Sequence, residues 1–307
     1  MSDRPLVIAH RGASGYLPEH TREAKTLAHA QGADFLEQDI VSTRDGQLVV
    51  CHDIFLDRVT NVGEVYRGRA RADGRHYLID FDWDEIRRLE VVLKPHERMT
   101  HGANGPYRLC TLEEEIRLVQ TLNRETGRVV GIYPEIKKPL WHREHGFDVA
   151  RSLLDLLARY GYRKADDAVF VQCFDAHELE RIRRELSSEL RLVQLVGRST
   201  NTGLLSRRGL GTVAEYATAL GPNYRQLLRS GKGGHAATTA LVSAIRAAGL
   251  ELHPYTFNRE DLPAYAPDLE GLLALVYDLV DPDAVFTDYP DVAVRIREQA
   301  GSTGRQP

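Results

Sequence analysis

Two histidines, three carboxylates and two strong cations sit at the ends of short apolar runs in this chain, where packing alone does not require them. His10-Arg11-Gly12 closes the run Leu6 to His10, Glu37 and Asp39 lie within Phe35 to Val41, His52-Asp53 closes Leu48 to His52, and Glu135 with Lys137 closes Val129 to Glu135. Imidazole titrates near neutral pH and transfers protons in either direction, so His10 and His52 are a candidate general acid and general base. Glu37 and Asp39 are two residues apart; on a strand they project to one side, where two carboxylates repel unless a cation lies between them. With Glu135 they make a hard oxygen set that suits one divalent cation, Ca2+ or Mg2+, better than zinc. Arg11 presents a fork of donors matched to phosphate oxygens, and Lys137 a compact positive charge. The combination points to cation-assisted chemistry at a phosphoryl group.

These side chains can act together only if the chain brings the ends of several strands to one place. Strand-like runs at Leu6 to His10, Phe35 to Val41, Leu48 to His52, Val129 to Glu135, Ala168 to Gln172, Leu192 to Val196, Glu251 to Thr256 and Ala284 to Thr287 alternate with stretches of helical apolar spacing. Those stretches are Thr21 to Ala30, Leu112 to Leu122, Val149 to Tyr160, His177 to Leu186, Ala237 to Ala247, Leu272 to Leu279 and Val292 to Glu298. Eight runs separated by helices predict an α/β fold, a TIM (β/α)8 barrel spanning residues 1–307 as one domain, whose C-terminal strand ends converge on a single face. Two connections depart from the alternation. Arg44-Asp45-Gly46-Gln47 leaves no room for a helix and carries the Asp-Gly turn signal, so a hairpin-like extension is expected there. The polar, arginine-rich stretch 54–109 is far longer than an ordinary loop and reads as an insertion after the third strand, capping one end of the barrel, with a short helix over Trp83 to Leu89 behind the N-cap Asp82. A second long connection, Gly197 to Gly234, reads as glycine-rich turns around helical pieces.

Composition narrows the function classes. The 307 residues are 42% hydrophobic and 27% charged, enough to bury a large core. A formal charge of -4 and a pI near 6.3 argue against a nucleic-acid partner, which would need a broad cationic surface. Cys51, Cys110 and Cys173 lie far apart and read as free thiols. No apolar stretch approaches the roughly 20 residues that span a bilayer, so no stable membrane insertion is expected. As it stands the chain reads as cytoplasmic, or as periplasmic or secreted if an export segment has been removed.

The chain resembles the glycerophosphodiester phosphodiesterase family, in particular its longer bacterial, periplasmic-type members. The resemblance is carried by His10-Arg11-Gly12-Ala13, Pro18-Glu19-His20-Thr21, Phe35-Leu36-Glu37-Gln38-Asp39, Asp45-Gly46 and Val49-Val50-Cys51-His52-Asp53. It continues through Tyr133-Pro134-Glu135-Ile136-Lys137, Val171-Gln172-Cys173-Phe174-Asp175, His253-Pro254-Tyr255-Thr256 and Phe286-Thr287-Asp288-Tyr289-Pro290. It implies a capped TIM barrel that releases sn-glycerol 3-phosphate from small glycerophosphodiesters. By resemblance, His10 and His52 match the catalytic histidines, Glu37, Asp39 and Glu135 the metal ligands, and Arg11 and Lys137 the phosphate-binding pair. The chain departs from many relatives in having His20 for asparagine and Cys173 for serine. A glycerol end needs a small pocket with an apolar wall, for which Phe174 and Tyr255 are the candidates. A related reading is phospholipase D-like cleavage of lysophospholipids.

Overall fold

A computed structural model describes residues 4–92, 106–231 and 235–303. Eight parallel strands form the main sheet. In chain order they are β1 (Leu6–Ala9), β2 (Phe35–Ser42), β4 (Gly131–Ile136), β5 (Phe170–Cys173), β6 (Arg191–Val196), β7 (Ala219–Pro222), β8 (Glu251–Leu252) and β9 (Ala284–Thr287), with β3 (Leu48–Val50) a side strand. Backbone hydrogen bonds at and beyond β8 draw the two ends of the sheet together: Asp283 donates to Leu252 at 3.0 Å, Phe286 to Pro254 at 3.1 Å, and Phe257 to Phe286 at 2.8 Å. The result is a nearly closed TIM barrel. Helices cover its outside, and the large core of Val7, Leu36, Ile132, Val171, Leu192 and Leu220 lies between strands and helices.

Alternation along each strand sorts the side chains into layers. Ile8, Phe35, Tyr133, Phe170, Val193, Ala219, Ala284 and Phe286 form a separate inner cluster. Its aromatic rings stack and meet edge to face, with Tyr133 4.9 Å from Phe170 and 5.0 Å from Phe286. Two residues further along these same strands come His10, Glu37, Glu135, Gln172, Leu195, Gly221 and Asp288. The apolar plug is therefore the floor on which a polar layer stands, and strand periodicity alone puts the ionisable groups on one level.

The strand count of eight is right, but one of its members is exchanged for another. Leu48 to His52 is not a barrel strand: β3 (Leu48–Val50) turns back antiparallel on β2, pairing Ile40 with Val50 and Ser42 with Leu48. The eighth barrel strand is instead β7, inside the stretch read as turns. Its glycine and proline are turn residues by type, yet a Cβ on Gly221 would stand 2.6 Å from Leu195 Cδ2 and 3.2 Å from the His253 carbonyl. Gly221 is there because neighbouring strands approach closely. Helix Arg207–Ala214, preceding β7, supplies its crossover.

Within 54–109, the described residues build a small core of their own from Leu56, Val59, Val62, Leu78, Phe81, Ile86, Leu89 and Leu109, joined to Val41, Val49 and Cys51. The expected helix is present as Trp83–Ile86, with a reciprocal capping box between Asp82 and Glu85. Part of the stretch, 93–105, lies outside the described residues. All three cysteines are free and buried. No helix among the described residues is long and apolar enough to cross a membrane.

Candidate active site

The site is assembled at the C-terminal ends of the strands. Directly after β1 the chain turns through Arg11 and Gly12, both left-handed, with φ of 59° and 89°. This turn points the Arg11 amide at Glu37 Oε2, 2.6 Å away. A Cβ on Gly12 would lie 2.8 Å from the Ala24 carbonyl carbon, so only glycine fits both the dihedral and the space. Gly12→Ala is expected to cost about 1–3 kcal/mol in chemical denaturation and to disturb Arg11 in the same step; unchanged stability would show that the turn relaxes freely.

Parallel pairing of β2 with β4 places Asp39 opposite Glu135, and Lys137 reaches both, 2.7 Å from Glu135 Oε1 and 3.4 Å from Asp39 Oδ1. Arg11 Nε lies 3.4 Å from Asp39 Oδ2. Beneath them, the fully buried Lys25 donates to the Glu37 carbonyl and pairs with Glu115 at 3.2 Å, fixing the β2 backbone to the helices Arg22–Ala30 and Leu112–Thr126.

Crowding of carboxylates sets the electrostatics. Burial, then the charge of Asp39, pushes Glu37 well above the ordinary carboxylate range. Glu135 is raised to about 7, by burial first and by Asp39, against the pull of Lys137. Asp39 goes the other way: burial opposes its ionisation, but Lys137, His20 and Arg11 outweigh it and hold the group well below its usual value. Three buried carboxyl groups thus share too little positive charge for all to ionise, and Asp39 Oδ1 has no hydrogen bond. That is the condition a divalent cation relieves, so the donor set fits one.

Each candidate histidine is oriented by a carboxylate. His10 Nδ1 lies 2.6 Å from Asp288 Oδ1, which also accepts from Ser14 Oγ at 2.9 Å. His52 Nδ1 lies 2.7 Å from Asp53 Oδ1, and Asp53 Oδ2 accepts from Arg58 Nε at 2.6 Å. Because an ionised carboxylate only accepts, each ring is assigned the Nδ1–H tautomer, leaving Nε2 for chemistry. Desolvation, with Arg11 and Lys137 nearby, lowers the His52 pKa despite Asp53. Despite burial, the hydrogen bond from His52 and the charge of Arg58 hold Asp53 at about 2.

A cavity of about 160 Å³ is lined by His10, Arg11, Glu37, His52, Glu135, Lys137, Gln172, Phe174 and Tyr255, among others. Eight of the nine residues singled out from sequence thus share one cavity wall; the ninth, Asp39, lies just behind it, against Arg11 and Lys137. Phe174 and Tyr255 meet edge to face at 6.0 Å between centroids. A larger groove of about 980 Å³ adjoins it, sharing His52, Glu135, Lys137 and Phe174 and adding Ile54, Phe55 and Arg75 from the insertion and Trp141 from the barrel side. Ile54, Phe55 and Arg75 thus stand beside the strand ends, on the approach to them.

This architecture recurs in known proteins, and the sequence match decides the family. Residues 10–292 match the model of the glycerophosphoryl diester phosphodiesterase family. The chain belongs to that family. The glycerophosphodiester phosphodiesterase of Haemophilus influenzae is 38% identical, covering 96% of this chain and 90% of its own, and that of Treponema pallidum is 36% identical over 94% and 91%. Among solved structures, a putative glycerophosphoryl diester phosphodiesterase from Silicibacter pomeroyi superposes with a TM-score of 0.76 at 21% identity, covering 98% of this chain and 95% of its own. A phosphodiesterase from Oleispira antarctica, solved with the product sn-glycerol 3-phosphate, gives 0.68 at 22% identity, covering 96% and 97%. By membership this family chain is a phosphodiesterase, and the structural matches add the shared barrel.

Behind the named residues stand others to which the sequence assigns no role. His20 is fully buried, with Nε2 2.8 Å from Asp39 Oδ2; burial first, opposed by Asp39, lowers its pKa to about 3 and keeps it neutral. Among the described residues, the closest set of possible metal donors is His20, Glu37 and Asp39, with donor atoms within 4.8 Å of one another. Glu19, Arg58 and Asp288 are likewise second partners of named residues. Glu19 and Arg58 come in on loops from unrelated positions, and no spacing in the chain announces it.

Proposed function

We propose that this chain hydrolyses glycerophosphodiesters to sn-glycerol 3-phosphate and an alcohol, with one divalent cation held by Glu37, Asp39 and Glu135. The observation that carries the reading is the coexistence, in one small cavity, of crowded carboxylates, a guanidinium, an ammonium and two carboxylate-oriented imidazoles. His20 is assigned to the outside of the ligand set, because its Nε2 is already spent on Asp39 Oδ2. The bound cation would polarise a phosphoryl oxygen and lower the energy of developing negative charge.

The chain's own groups do the rest. Arg11 and Lys137 bind the non-bridging oxygens, and their ion pairs with Asp39, Glu19 and Glu135 hold them in place before substrate arrives. His52, neutral because burial depresses its pKa, takes the proton of the nucleophile at Nε2. The nucleophile is water, or the glycerol hydroxyl next to the phosphate, which displaces the alcohol to form a cyclic phosphate that water then opens. His10, held at Nδ1 by Asp288, delivers a proton from Nε2 to the departing alcohol oxygen. The 160 Å³ cavity, with Phe174 and Tyr255 as its apolar wall, takes the glycerol end, and the wider groove takes the alcohol. The glycerophosphodiester reading is preferred to lysophospholipid cleavage because the curated relatives are named for the former.

Cation binding should release protons, since Glu37 and Glu135 are raised and must ionise to ligate. The sign is fixed: affinity rises with pH through about 7, where Glu135 ionises, and goes on rising until Glu37 has lost its proton as well. Titrating chelated protein with Ca2+ and Mg2+ in a calorimeter, in buffers of differing ionisation heat, reads both quantities. Binding with no proton release at pH 6 would contradict the assigned ligands.

A further inference from the structure

The polar layer is tied to the insertion by one continuous chain of charged contacts, whose middle members no substrate needs to touch. It starts at His52, whose Nδ1 meets Asp53 at 2.7 Å. Asp53 accepts from Arg58 Nε at 2.6 Å, and Arg58 Nη2 donates to Glu19 Oε1 at 2.7 Å. The other oxygen of Glu19 accepts from Arg11 Nη1 at 3.0 Å. Two guanidinium groups thus hold the two oxygens of a single buried carboxylate, Glu19, which is 9% exposed. Arg58 belongs to the insertion, Glu19 to the loop after β1, and Arg11 to the strand end.

Neither Glu19 nor Arg58 lines the inner cavity or the outer groove, so neither is placed to contact substrate. Their effect has to pass through their partners. Arg58 uses its planar fork to join two carboxylates at once, a geometry an ammonium cannot copy. The Asp53 oxygen that remains is the one that sets the His52 tautomer. Glu19, with Asp39, engages two of the three nitrogens of Arg11 and so fixes the direction in which the third is offered.

We propose that Glu19 and Arg58 are positioning residues for the reaction, acting as one unit that aims Arg11 and sets the tautomer of His52, so that the seating of the insertion completes the active arrangement. This rests on the roles given to Arg11 and His52 under the proposed function. It adds that the insertion contributes an orienting group as well as a wall.

The test uses the full chain, with ring-15N histidine, at a fixed pH of 8, in the variants Glu19→Gln, Arg58→Met, Arg58→Lys and Glu19→Gln/Arg58→Met; the His52 signal is identified by its loss in His52→Gln. The wild type should show the Nδ1–H tautomer. Arg58→Met and Arg58→Lys should both mix the two tautomers, because neither replacement spans Asp53 and Glu19. With glycerophosphocholine as substrate, each single variant should lower kcat by about 10- to 100-fold, the range for outer partners that orient active groups. The double variant should be no worse than about threefold below the weaker single one, since members of one unit do not add. Melting temperatures check that the isosteric Glu19→Gln remains folded, which keeps the test open should Arg58→Met unfold. Wild-type behaviour of Arg58→Lys in both readouts, or losses that multiply in the double variant, would overturn the proposal. If the wild type turned over no glycerophosphodiester, the functional reading would fail while the tautomer signal still decided the positioning role.

Discussion

His10→Asn and His52→Asn should each lower kcat for glycerophosphocholine by about 10²- to 10⁴-fold, the usual worth of a positioned proton donor or acceptor, with KM changed little. The two losses should differ in kind. A leaving group that needs no proton, such as p-nitrophenolate, makes the acid dispensable; on a p-nitrophenyl ester of glycerol phosphate the His10→Asn defect should shrink to a few-fold while the His52→Asn defect persists. The pH profile follows the same assignment. A base with a depressed pKa works in its neutral form, so at saturating cation kcat/KM should hold as pH falls to about 6.5, the ordinary imidazole value, and decline only below it. Asp53→Asn removes a group that raises the His52 pKa, so the acid limb should move further down even as the rate drops. A limb that moved upward, or defects that exchanged places on the activated ester, would reverse the roles of the two histidines.

Arg11→Met and Lys137→Met should each cost about 10²- to 10³-fold in kcat/KM, comparable to losing one preorganised donor to a developing oxyanion. The physical reason goes beyond a lost contact. Both cations lie in a buried layer with Glu37, Asp39 and Glu135, and each is held there by carboxylate partners rather than recruited by substrate. Removing either also weakens the charge balance that keeps Asp39 ionised. Binding of sn-glycerol 3-phosphate should therefore weaken in both variants. Lys137→Arg should recover little, because the buried space between Asp39 and Glu135 is matched to a compact ammonium. Full activity in either methionine variant would remove that residue from the phosphate site.

The candidate site was legible because strand periodicity does most of the placing. Glu37 and Asp39 two residues apart, and Tyr133, Glu135 and Lys137 likewise, had to point one way once β2 and β4 were strands, and a barrel gathers strand ends on one face. The exchange of Leu48–Val50 for Ala219–Pro222 shows where that logic stops. A valine-rich run says strand but cannot say which neighbour it pairs with, and the glycine in β7 is dictated by Leu195 and His253, residues remote in the chain. The supporting shell was hidden for the same reason. Glu19, His20 and Arg58 sit on turns and loops, where neither alternation nor helical spacing predicts direction. His20 was visible only as a departure from the family's asparagine, and only its burial against Asp39 gives it a role.

The central claim is that this barrel releases sn-glycerol 3-phosphate from a glycerophosphodiester with the help of a cation. Phosphorus NMR of purified protein with glycerophosphocholine and, separately, lysophosphatidylcholine, after chelation and again after Ca2+ or Mg2+ is restored, tests it most directly. The account predicts no turnover in chelator and, on restoring a cation, conversion of glycerophosphocholine to sn-glycerol 3-phosphate, with lysophosphatidylcholine far slower. Persistent turnover in chelator would contradict the role given to Glu37, Asp39 and Glu135, and no sn-glycerol 3-phosphate under either cation would contradict the account as a whole.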